Sequence, residues 1–341
     1  MRLERFEGCW TAMVTPFNRK GEVDFEGLEK NVRFQIENGA NLVPTGTTGE
    51  SPTLDWREHD RVITKTAKLT KGKAFVIAGT GSNSTREAIR GSKHAVEVGV
   101  QALLLVDCYY NGPSSLELRT QYYEVIAKTF RKTFVVPYVI PGRTGTKLEV
   151  EDLAILHRKY KNIRSIKEAT GDLERMAKTR TLCGEDFDIL SGDDDKTFEM
   201  VTRSDIRASG VISVMANIVP GPIGEMVKAI RNGDMGKANW LKDTLDPLFK
   251  TVTVNTVESY EGFEVPIKFR NPLAIKTMMK GLGLPSGPCR QPLGKMTPKG
   301  MEVVRNALKE VYRKDNEVFR PIQEFYKVNI EERLMNDHYW K

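Results

Sequence analysis

One pattern constrains this chain more than any other: short apolar runs rich in β-branched and aromatic residues recur at about 30-residue intervals, each followed by a longer amphipathic stretch. The runs are Trp10 to Thr15, Asn41 to Thr45, Phe75 to Gly79, Ala102 to Val106, Phe134 to Ile140, Ile163 to Ala169, Phe187 to Leu190 and Gly210 to Val214. Between them the spacing predicts helices. Phe25, Leu28, Val32 and Ile36 stand three and four residues apart, and Leu116 to Phe130 repeats the pattern. Strand, helix and strand in succession require parallel crossovers. Eight such units predict an α/β chain folded as a closed (β/α)8 TIM barrel, with an open doubly wound sheet as the alternative.

After Val214 the strand signals stop. Ile223 to Ile230, Lys237 to Phe249, Pro272 to Leu282 and Met301 to Tyr312 read as helices. The expected organisation is a catalytic barrel over 1–230, a C-terminal helical region over 231–312 and an extension over 313–341. Phe319, Phe325, Tyr326, Leu334, Met335, Tyr339 and Trp340 make that extension too apolar for a solvated tail. It is expected to pack, with a neighbouring subunit as one place for it.

Several function classes have no anchor. Fifty-two Lys and Arg against 45 Asp and Glu give a net charge of +7, but no basic stripe carries interleaved aromatics, so no nucleic-acid partner is expected. The longest apolar run, Ala102 to Val106, falls far short of the ~20 residues that span a bilayer, so no membrane association is expected. No apolar signal core follows Met1 to Arg5, and Cys9, Cys108, Cys183 and Cys289 are widely separated, which reads as a reduced, cytoplasmic protein. His59, His94, His157 and His338 lack paired-ligand spacing, so no metal is expected. Gly79-Thr80-Gly81 begins like a dinucleotide fingerprint, yet Ser84 fills its third glycine position, and no cofactor is expected.

What remains is a set of polar residues at the C-terminal ends of the expected strands, where barrel enzymes build their sites. The second strand runs into Gly46-Thr47-Thr48-Gly49-Glu50-Ser51, whose backbone N–H groups can cradle a carboxylate. The fifth ends in Tyr138-Val139-Ile140-Pro141-Gly142-Arg143, bringing a phenol and a guanidinium to one rim. In the sixth, alternation puts Ser165, Lys167 and Ala169 on one face and Ile166 on the other. If Ile166 packs outward, Lys167 points into the barrel, where lost hydration favours its neutral amine. An ordinary lysine is neutral at pH 7 in only about one molecule in 2,500, so a nucleophilic amine needs such a setting. A neutral amine condenses with a ketone to a Schiff base, an electron sink that turns the adjacent carbon into an enamine nucleophile. The proton transfers require a relay, for which Tyr138, Thr47 and Tyr110 are the candidates.

At this point the chain resembles the pyruvate-dependent class I aldolase superfamily of dihydrodipicolinate synthase and N-acetylneuraminate lyase, from about Gly8 to Leu308. GTTGES at 46–51, AGTG at 78–81, YYN at 109–111, PGRTG at 141–145, IKEATGD at 166–172, LSGDD at 190–194 and GVISV at 210–214 carry the resemblance. It implies that Lys167 forms the Schiff base with pyruvate, that Tyr138 donates and accepts protons, and that Thr47 links it to a Tyr110 supplied by the partner subunit. Thr48 and Ile212 would hold pyruvate, with Gly192 and Asp193 lining the site.

Arg143 resembles the synthase branch, where it would bind the carboxylate of L-aspartate 4-semialdehyde in the first committed step of the diaminopimelate route to lysine. An aldolase releasing pyruvate from a 2-keto-3-deoxy sugar acid is the alternative. A homotetramer, a dimer of dimers, is the implied assembly. The superfamily's lysine-feedback site maps to Ser51, Pro52, Trp56, His59, Asn83, Glu87 and Tyr109, which implies lysine as an inhibitor. Val139 and Cys108 depart from the family's usual asparagine and proline, and the segment from Val252 to Phe269 is longer than usual.

Overall fold

The computed structural model describes residues 3–341. Each run expected in the barrel forms a strand: β1 (Gly8–Ala12), β2 (Asn41–Val43), β3 (Ile77–Gly79), β4 (Ala102–Val106), β5 (Phe134–Val139), β6 (Ser165–Glu168), β7 (Asp188–Ser191) and β8 (Gly210–Ser213). They pair in parallel in the order β2-β1-β8-β7-β6-β5-β4-β3. An isolated parallel bridge between Leu42 and Val76 joins the two ends and closes the ring. The first strand starts and ends earlier than its apolar run, because Thr15 leaves the sheet and donates from Oγ1 to the Gly49 carbonyl at 2.8 Å.

Alternation along the strands sorts the core into two layers, as the period of two requires. Trp10, Ala12, Val43, Ile77, Leu104, Tyr138, Leu190 and Ile212 fill the barrel interior. Their sequence neighbours Leu103, Leu105, Val139 and Ile189, and Ile166 next to Lys167, face the surrounding helices. Those helices are α1 (Phe25–Glu37), α2 (Trp56–Thr70), α3 (Thr85–Glu97), α4 (Ser115–Glu117) running through a π-helical stretch into α5 (Glu124–Thr129), α6 (Pro141–Thr144), α7 (Val150–Lys159), α8 (Leu173–Cys183), α9 (Thr197–Thr202) and α10 (Pro220–Arg231). Asp24, Asp55 and Asp172 accept from the N–H groups of Gly27, Glu58 and Arg175, which fixes where α1, α2 and α8 begin. No described helix is long and apolar enough to cross a membrane.

Beyond the barrel, α11 (Met235–Phe249) is followed by an antiparallel hairpin, β9 (Val254–Tyr260) and β10 (Phe263–Phe269). This corrects the expectation that strands end at Val214. Glu261 and Gly262 both take positive φ, 49° and 84°, the geometry that lets a two-residue turn join twisted strands. The ribbon was hidden in the sequence because Glu258, Glu264 and Pro266 interrupt it and most of its side chains face solvent.

After α12 (Leu273–Leu282) and α13 (Pro298–Lys314), the extension folds into α14 (Arg320–Tyr326) and α15 (Ile330–Met335) and packs on its own chain. The Phe325 and Tyr326 rings lie 5.5 and 5.2 Å from the Phe34 ring, and the Tyr326 hydroxyl donates to Asn31 Oδ1 at 3.0 Å. Trp340 covers Gly281 so closely that a Cβ there would lie 2.4 Å from the indole. An apolar tail with α1 and α12 within reach needs no second chain to bury it.

Candidate functional site

Lys167 sits on β6 facing inward, as the outward packing of Ile166 requires. It is 5% exposed and makes no ion pair with any described carboxylate. Its strand partner on β5 is Tyr138, and the Lys167 Nζ lies 4.2 Å from the centre of the Tyr138 ring. The end of β7 crosses close to the lysine stem. A Cβ on Gly192 would lie 2.6 Å from the Ala169 Cβ and 3.2 Å from the Lys167 Cε, so this crossing requires glycine. Beside it, burial pushes the Asp193 carboxyl up to about 6, with Asp195 adding to the effect and Lys167 opposing it. Asp194, next along, accepts from the Ser213 hydroxyl and from the Val214 N–H at 2.9 Å, tying the end of β7 to the end of β8.

The loop after β2 is held from three sides. Thr45 and Glu50 bracket it with positive φ of 55° and 54°, a strained backbone for non-glycine residues. Thr45 Oγ1 donates to the Gly79 carbonyl at 2.9 Å, and Thr15 Oγ1 to that of Gly49. From below, Lys276 on α12 donates to Glu50 Oε1 at 2.6 Å, to the Thr15 carbonyl at 3.1 Å and to that of Pro288 at 2.9 Å. The other Glu50 oxygen accepts from the Arg290 N–H at 2.8 Å. With the loop held in this way, Thr47 and Thr48 face the cavity. Asn271 Nδ2 donates to Thr48 Oγ1 at 3.0 Å, while the Asn271 carbonyl accepts from Arg143 Nη2 at 3.0 Å.

Two cavities meet at this floor. One, of about 280 Å³, is lined by Thr47, Thr48, Tyr138, Arg143, Lys167, Gly192 and Asp193. The other, of about 370 Å³, is lined by Ser51, Pro52, Trp56, His59, Glu87 and Tyr109. Thr47, Tyr138, Ile140 and Arg143 belong to both. In the larger cavity burial pushes the His59 imidazole down to about 4, and Glu87 accepts from Ser82 Oγ at 2.7 Å. Burial, then the nearby Glu87 carboxylate, raises the Tyr109 phenol.

Three of the residues picked from sequence lie apart. Ile212 is buried in the barrel wall behind the smaller cavity and lines neither. Asn83 is exposed beside Ser82. Tyr110 is 92% exposed with a φ of 76°, turned away from this chain's own Tyr138 and Thr47. Conversely, Lys276, Asn271 and Arg270 were not singled out. Lys276 did carry a signal, a cation between Ile275 and Met278 on an otherwise apolar helix face. Asn271 and Arg270 carried none that one sequence makes visible.

The arrangement offers a buried amine that pairs with no described carboxylate, a phenol against it, hydroxyls beside it and an arginine on the rim. The model of the Dihydrodipicolinate synthetase family matches residues 5–311. A protein of Methanococcus vannielii named 4-hydroxy-tetrahydrodipicolinate synthase is 40% identical over 303 residues, covering 89% of this chain and 97% of its own. The structure of the 4-hydroxy-tetrahydrodipicolinate synthase from Methylacidiphilum fumariolicum SolV superposes with a TM-score of 0.83 at 35% identity, covering 93% of this chain and 99% of its own. That of the enzyme from Cyanidioschyzon merolae, with lysine bound, superposes with a TM-score of 0.81 at 32% identity, covering 90% and 98%.

Proposed function

The chain belongs to the dihydrodipicolinate synthetase family, and from that premise we propose that it condenses pyruvate with L-aspartate 4-semialdehyde through a Schiff base on Lys167. It is a lyase of lysine and diaminopimelate biosynthesis, and nothing favours the sugar-acid aldolase. The observation that carries the residue assignment is the buried Lys167 amine, in no ion pair with a described carboxylate, against the ring of its strand partner Tyr138.

In this reading the Lys167 amine adds to C2 of pyruvate and the carbinolamine loses water to an iminium. Loss of a C3 proton gives the enamine, whose C3 bonds to the aldehyde carbon of the semialdehyde while the new alkoxide takes a proton. The substrate's own amine then attacks the imine carbon, closing the ring and releasing Lys167. Tyr138 carries these protons with Thr47 as its link. Tyr110 completes the relay from a partner subunit in a homotetramer, which its exposure and strained backbone support. Thr48 holds the pyruvate carboxylate, Ile212 packs in the barrel interior without lining the cavity, and Arg143 takes the carboxylate of the semialdehyde.

The larger cavity is read as a site for lysine acting as inhibitor, with Glu87 and Tyr109 as its polar anchors and the lysine-bound relative as support. Four free cysteines fit a reduced, cytoplasmic setting. Borohydride trapping with pyruvate, followed by peptide mass analysis, tests the mechanism. A reduced pyruvate adduct is expected on Lys167, and a label on any other lysine, or none, refutes the assignment.

A further inference from the structure

Three cations stand on one rim of the Lys167 cavity: Arg143 from α6, and Lys268 and Arg270 from the end of the β9–β10 hairpin. None forms an ion pair with a described carboxylate. The two arginines are cross-braced, since Arg143 Nη2 donates to the Asn271 carbonyl and Arg270 Nη1 donates to the Gly142 carbonyl, each at 3.0 Å. Each bond uses one N–H and leaves the rest of the fork free to face the cavity. Mutual repulsion across such a brace is a cost that a bound anion relieves. Asp193 is a carboxylate lining this cavity with Lys167, whereas the Lys268 ammonium makes no hydrogen bond with any described residue.

From this placement we propose that the carboxylate of the aldehyde substrate is gripped by an arginine pair, Arg143 together with Arg270, and that the hairpin exists to deliver Arg270 and the steering charge of Lys268 to the mouth. The inference rests on the reaction proposed above and adds specificity residues to it. Two guanidinium forks can meet the two oxygens of one carboxylate, which a single rim arginine partly engaged with a backbone carbonyl does poorly. A free ammonium at the lip raises the encounter rate of an anion and loses that effect in salt.

The test is steady-state kinetics of the full chain with both substrates, alongside borohydride trapping with pyruvate alone. Arg270→Gln is expected to raise KM for the semialdehyde about tenfold, the scale of one charged hydrogen bond. KM for pyruvate and the trapping rate should stay within twofold of the parent, and Arg270→Lys should regain most of the loss. Lys268→Gln, which forfeits no side-chain hydrogen bond to a described residue, should flatten the decline of kcat/KM for the semialdehyde with added salt. This variant carries the test should Arg270→Gln fail to fold. An unchanged semialdehyde KM in Arg270→Gln, or an unchanged salt slope in Lys268→Gln, overturns the clamp. Equal rises in both KM values with slowed trapping also overturn it, because Arg270 then only braces Gly142. A parent enzyme that traps no pyruvate removes the underlying reaction as well, so the two failures are distinguishable.

Discussion

Lys167 reaches the cavity because side chains on a strand alternate, and the outward packing of Ile166 leaves its neighbour no other side. Tyr138 meets it because parallel pairing puts the two in register. Replacing Tyr138 by Phe keeps the ring against the amine and removes only the hydroxyl proposed to carry protons. Turnover is expected to fall by roughly 10²-fold or more while trapping of pyruvate stays slow but detectable. Turnover within twofold of the parent would contradict that role.

Asp193 offers a second reading at the same scale. Its native carboxyl titrates near 6, against about 3.9 unfolded, so the native state binds more protons between those values. Stability from this group is therefore lost as pH rises from about 4 through 6. Asp193→Asn should be more stable than the parent in urea at pH 7 to 8, with the gap closing toward pH 4; a gap independent of pH would exclude this origin. The buried His59 has the opposite slope, since its neutral native form loses stability as pH falls from about 6.5 toward 4.

Among the elements, α12 connects the most parts of the site. Its N-terminal flank carries Arg270 and Asn271, its middle carries Lys276 under Glu50, and its last turn lies against Trp340 of the extension. Removing one partner of a buried pair strands the other charge. Lys276→Met should therefore destabilise the protein by about 3–5 kcal/mol, and by less when combined with Glu50→Gln. Denaturant midpoints of both single variants and the double read this, and a loss in the double variant equal to the sum of the two single losses would show that the pair does not act as a unit. The eight barrel strands were legible because each is a short apolar run. The β9–β10 hairpin was not, because its stability comes from pairing and a turn with little burial, which leaves no apolar period to read.

At the scale of the molecule, the two cavities share the wall formed by Thr47, Tyr138, Ile140 and Arg143, so an occupant of one touches residues that line the other. In the inhibition proposed above, that shared wall is lysine's physical route to the reaction. Initial rates should fall when millimolar lysine is added, and Glu87→Ala should abolish the effect; equal rates with and without lysine would remove the idea.

Residue order alone carries the barrel strands, the inward face of Lys167 and the motifs at the strand ends, because alternation and turn chemistry are local and survive in any context. Folding is what makes Lys276 neutralise Glu50, Asn271 bridge Thr48 to Arg143, and Arg270 stand beside Arg143. Those residues are separated by more than 100 positions, and only the closing of the barrel and the return of the hairpin bring them within hydrogen-bonding range.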